Sequence, residues 1–158
     1  RTSEMKFFGG GDTGTLVKPN PSAPRGQIDI VSVVKIDDII ENKDQKILFM
    51  IDAEGSELDV LEGAISIISG KIKHYFIIEL WDPLLSDVLD AKNKNFTDVF
   101  RLMESKGYKG WKIDEGNGDV IEPMVNDPHA ENLSAVPACF SNYLFMDANG
   151  SHEFLCKK

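Results

Sequence analysis

A chain of 158 residues, 42% hydrophobic and 27% charged, is long enough to fold as one globular domain around its own core. Its formal net charge of -9 disfavours phosphate backbones and anionic membranes, so no nucleic-acid partner is expected. No apolar run is long enough to span a bilayer.

The first residue is Arg1, which reads as the start of a processed or excerpted chain. Cys139 and Cys156 are too few for a disulfide framework. Asn-x-Ser/Thr triplets stand at Asn95, Asn132 and Asn149. Roughly one is expected by chance, so a cytoplasmic location is favoured and a secretory one stays open.

Residues 1–27, rich in Gly, Pro, Ser and Thr, read as an irregular N-terminal segment with one short strand at Met5–Phe8. Residues 28–158 then form the α/β part. Ile28–Val34 alternates apolar and polar residues, the pattern of a half-buried strand. Ile36–Asn42 reads as a short helix with Ile36, Ile39 and Ile40 on one face.

The clearest unit follows. Ile47–Ile51 is a continuous apolar run, as expected for a strand covered on both faces. After Asp52-Ala53-Glu54-Gly55, Ser56 and Asp59 have the spacing of a capping box. Leu58, Leu61, Ile65 and Ile68 give the helix an apolar stripe, and Gly70 ends it. His74–Ile78 is a second buried-type strand closing in Glu79-Leu80-Trp81. Strand, helix and strand at this spacing make a βαβ unit with parallel strands.

A further helix covers Phe96–Lys106, burying Phe96, Val99, Phe100 and Met103 and stopping at Gly107. Tyr108–Ile113 and Asn142–Met146 are late strands. Residues 115–140, with three prolines and His129, read as a lid or binding loop. The alternation implies an α/β domain with a mainly parallel sheet.

Gly9-Gly10-Gly11-Asp12-Thr13-Gly14 satisfies G-x-G-x-x-G, but a dinucleotide site needs a helix starting at the third glycine. Pro19, Pro21 and Pro24 follow instead, so a turn is the better reading. His74, His129 and His152 lack metal-ligand spacing, and no metal is expected.

The acids are more informative. Asp52 and Glu79 each follow an apolar run, where open parallel sheets bind ligands. On neighbouring strands, about 4.8 Å apart, they would face one cleft. Joint ionisation is then disfavoured and one pKa rises, which suits a general base or a cation site. Glu54 reads as a loop acid, and Glu57 as an acid favouring the helix N-terminus.

Val34-Lys35-Ile36-Asp37-Asp38-Ile39-Ile40, then Phe49-Met50-Ile51-Asp52-Ala53-Glu54-Gly55-Ser56-Glu57-Leu58, then Asp59-Val60-Leu61-Glu62-Gly63-Ala64 and Ile77-Ile78-Glu79-Leu80 resemble the signature of FkbM-type methyltransferases. That family carries a Leu-Asp-Asp helix, an Ile-Asp-x-Glu-Gly-x-Glu turn, a Leu-x-Gly-Ala helix and a strand closing in Glu. Asn142–Phe145 is a weaker match to its closing segment.

The resemblance implies the C-terminal part of a Rossmann-like class I methyltransferase sheet, mostly parallel with an antiparallel last strand. It implies S-adenosylmethionine as cofactor, with methyl transfer to a hydroxyl of a small molecule or glycan. Asp52 would be the cofactor-binding residue at the methionine end, and Glu54 and Glu79 the catalytic acids near the acceptor. The family's glycine-rich cofactor motif belongs upstream, and Gly9–Gly14 lies too close to Asp37 to be it. A second reading therefore stays open: a non-catalytic interaction module built on the same sheet.

Overall fold

The computed structural model describes residues 3–8, 28–81, 94–113, 120–123 and 140–150. The Gly9–Gly14 run, His129, His152, Cys139 and Cys156 lie outside these residues.

Strands β1 (Ser3–Phe8) and β2 (Ile28–Val33) pair antiparallel as a two-stranded sheet, with Ser3 opposite Val33 and Phe8 opposite Ile28. The half-buried pattern expected for β2 is only partly met. Val31 and Val33 are partly covered, but Ile28 and Ile30 are exposed. A ribbon of two strands buries a side chain only where another layer packs on it.

Helix α1 (Ile36–Ile39) is a single turn, shorter than the periodicity predicts. Ile36 packs against the core and Ile39 is exposed. Strand β3 (Leu48–Ile51) follows, then α2 (Glu57–Glu62), α3 (Ile65–Ile68) and β4 (Tyr75–Trp81). The single helix expected here is broken at Gly63-Ala64 into two. Its apolar stripe survives the break, because Leu61 and Ile68 are both buried.

Helix α4 (Lys94–Ser105) buries Phe96, Val99, Phe100 and Met103, the four residues its sequence pattern selects. It ends at Gly107, whose φ of 79° is the left-handed conformation glycine tolerates. Strands β5 (Tyr108–Ile113), β6 (Val120–Pro123) and β7 (Phe140–Asp147) complete the elements. Strand β6 lies within the stretch expected to be loop.

The main sheet has the order β3-β4-β7-β5-β6. Strands β3 and β4 are parallel, as the βαβ spacing predicts, with Leu48 opposite Tyr75 and Ile51 opposite Ile78. The other pairings are antiparallel, so the expectation of mostly parallel strands is corrected to a mixed sheet. The reason is where β7 inserts. Strands β4 and β5 run in the same direction, and the reversed β7 lies between them, turning both contacts antiparallel.

One face of this sheet carries the core. Phe49 stacks on Phe76 at 4.9 Å, and Phe76 meets Tyr108 edge-on. Phe96, Phe100, Tyr143 and Phe145 form a second aromatic cluster between α4 and the sheet. Side chains alternate along a strand, so Leu48 and Met50 point to the opposite face. They are 58% and 78% exposed, which corrects the reading of a strand covered on both sides. An unbroken apolar run fits burial on both faces, but β3 is the edge strand of this sheet.

Candidate functional site

The parallel register brings the two strand-end acids level. Ile51 pairs with Ile78, so Asp52 and Glu79 are the next residues along neighbouring strands. Their surroundings differ. Asp52 is exposed just beyond β3, whereas Glu79 is half-buried inside β4 and opposite Asn142 of β7. Strand β4 continues to Trp81, so Glu79 does not mark its end as the apolar run suggests.

Beyond Asp52 the chain turns sharply. Glu54 has a φ of 48° and Gly55 a φ of 96°, and the Ser56 N–H donates to the Ala53 carbonyl at 3.1 Å. A left-handed glutamate is costly and persists only where its neighbours hold it. The holding group is Glu57. The residue is 1% exposed, and one carboxylate oxygen accepts the Ala53 N–H at 3.2 Å and the Gly55 N–H at 2.9 Å.

Glu57 stands in the first turn of α2, the helix-end place read for it, and its carboxylate also reaches back to the amides of the preceding turn. The capping box is corrected. Ser56 precedes α2, but its side chain makes no capping hydrogen bond, and its buried hydroxyl has no partner among the described residues. With the carboxylate of Glu57 closing the turn from inside, α2 starts without a hydroxyl cap.

The turn gathers negative charge. Burial, first, and then the charges of Asp52 and Glu57 hold the Glu54 carboxyl above its ordinary pKa. Asp52 and Glu54 share one turn, and Glu79 lies level with the first of them. Among the described residues, no cluster of three or more His, Cys, Asp or Glu is arranged to hold a metal ion. No described helix is long and apolar enough to cross a membrane.

Two residues of the motifs have structural duties. Asp37 accepts the N–H groups of Ser66 and Ile67, at 2.9 and 3.1 Å, at the start of α3. His74 is buried, and its Nδ1 accepts the Ile47 N–H at 3.3 Å. Sequence reasoning assigned neither role, because the partners stand 29 and 27 positions away for Ser66 and Ile47.

A model of the methyltransferase FkbM domain matches residues 4–109, more than half of the chain. No match was found among curated proteins or among solved structures.

Proposed function

The chain belongs to the FkbM methyltransferase domain family, and from that membership we propose that it transfers a methyl group from S-adenosylmethionine to a hydroxyl of a small molecule or sugar. We read β3 and β4 as acceptor-side strands of a Rossmann-like class I sheet.

The observation that supports this reading is the acidic turn at the end of β3. S-adenosylmethionine carries a sulfonium and an ammonium, and the turn offers carboxylates with which those charges are compatible. Asp52, exposed at the strand end, would hold the methionine end. When bound, the cofactor supplies an electrophilic methyl group.

The chain's own part is proton handling. A hydroxyl oxygen accepts a methyl group more readily as its proton leaves, and a base with a raised pKa removes that proton better. Glu54 has this property and takes the proton. Glu79, on the neighbouring strand, orients the hydroxyl.

The test uses the full-length protein, labelled S-adenosylmethionine and a panel of hydroxylated acceptors. Glu54→Gln lowers turnover by about a hundredfold, the lower range for a lost general base. Asp52→Asn weakens cofactor binding measured by calorimetry. Full activity in Glu54→Gln and Glu79→Gln removes both acids from the chemistry. No cofactor binding by the unmodified protein favours the interaction module.

A further inference from the structure

We propose that Glu57 is the positioning residue of the acidic turn: its buried carboxylate, accepting the Ala53 and Gly55 N–H groups, fixes where Asp52 and Glu54 stand. The proposal rests on the methyltransferase reading only for what the positioned acids do.

Three observations carry it. The two amides converge on one oxygen of Glu57, at 3.2 and 2.9 Å. Between and at them the backbone is left-handed at two successive residues, Glu54 and Gly55. Backbone N–H groups in such a conformation form a concavity that binds anions, and here the anion is the protein's own carboxylate. Glu57 itself is 1% exposed, on the first turn of α2, whose Leu61 is anchored in the core. The turn is thereby tied to a packed helix through one side chain.

The consequence is specific to Glu54. Its left-handed φ has no glycine to excuse it and depends on an external hold. Without the acceptor, the Ala53 and Gly55 amides turn to solvent and Glu54 relaxes toward negative φ, carrying its carboxylate away. Asp52 loses its fixed place at the same time. Glu57 also sets the charge felt by Glu54, which its neighbours keep easier to protonate.

The two contributions separate by substitution. Glu57→Gln keeps an acceptor oxygen at the same reach and removes the charge. Glu57→Asp keeps the charge and withdraws the oxygen by one methylene, and it supplies the comparison if Glu57→Ala does not fold. The measurements are amide exchange at Ala53 and Gly55 and carboxyl NMR titration of Glu54, in the full-length protein, with S-adenosylmethionine calorimetry beside them.

In Glu57→Gln the two amides stay protected and the Glu54 titration moves down. In Glu57→Asp the amides lose at least tenfold protection, and cofactor affinity falls severalfold while the far-ultraviolet spectrum is unchanged. Unchanged amide protection in Glu57→Asp and Glu57→Ala overturns the proposal. So does loss of protection in Glu57→Gln equal to that in Glu57→Asp. If the amides and the titration respond as expected but the unmodified protein binds no S-adenosylmethionine, the positioning role stands and the methyltransferase reading fails.

Discussion

Asp37 reaches across 29 positions of sequence to accept the backbone N–H of Ser66 at 2.9 Å. Its other oxygen takes the Ile67 N–H at 3.1 Å, and its own N–H donates to the Gly63 carbonyl at 3.0 Å. Helix α1 is thus pinned to the break between α2 and α3. Burial pushes the Asp37 carboxyl upward, but the Ser66 and Ile67 hydrogen bonds and Lys43 outweigh it and leave the pKa lowered. Asp37→Ala should cost about 1 kcal/mol, the loss typical of a helix cap. A carboxylate with a lowered folded pKa stabilises above its unfolded pKa, and the gain is lost as pH falls through the folded value. Urea unfolding at neutral and acidic pH checks this: the gap between unmodified protein and Asp37→Ala should narrow in acid.

Gly110 offers a test of packing. A Cβ there would sit 2.6 Å from a Phe100 ring carbon and 2.7 Å from one of Phe145, both in the core. Neither ring is a flexible end, since Phe100 and Phe145 also pack against each other at 4.9 Å. Gly110→Ala should destabilise by about 1–3 kcal/mol through overpacking. An unchanged urea midpoint would show that α4 can move off the sheet without penalty.

His74 gives stability a pH dependence of its own. It lies buried with Nδ1 accepting from Ile47, and its backbone N–H donates to the Tyr108 hydroxyl at 3.2 Å. Burial, followed by the charges of Lys46 and Lys73, lowers its pKa below the ordinary 6.5. The unfolded chain then binds the proton more readily than the folded one, so stability declines as pH falls from about 6.5 toward the folded value. His74→Phe should remove that slope and cost about 1–3 kcal/mol at neutral pH by leaving the Ile47 N–H unpaired. Stability followed between pH 5 and 8, a range set by the ordinary histidine pKa, tests both. A slope surviving in the variant would assign it to another group.

The sequence was legible where one period dominates. The buried face of α4 and the parallel pairing of β3 with β4 both follow from spacing. The same run of apolar residues misled about burial, because Leu48 and Met50 look alike to a pattern whether or not a layer covers them. The mixed sheet was illegible for a related reason: where β7 inserts is decided by contacts across the whole domain. At the site, the level placement of Asp52 and Glu79 came from their strands. The brace by Glu57 did not, since a helix-end acid and a turn acceptor share the same residue type. An acid two positions after Glu-Gly at a tight turn was the available signal.

As the proposed base, Glu54 should carry the pH dependence of methyl transfer. A general base acts ionised, so turnover falls as pH drops through the folded pKa of Glu54, which lies above the ordinary 4.5. Asp52→Asn removes one of the charges that raise it and should move the acidic limb of the rate profile to lower pH. Stability runs the other way. Holding a carboxyl pKa above its unfolded value means the folded state keeps its proton longer, so ionising Glu54 costs stability as pH rises through that window. Glu54→Gln should therefore flatten the stability profile just above pH 4.5 while removing the acidic limb of activity. Turnover and urea midpoints measured on the same pH series separate the two effects. An acidic limb that persists unchanged in Glu54→Gln would give the proton transfer to another residue, with Glu79 the next to examine.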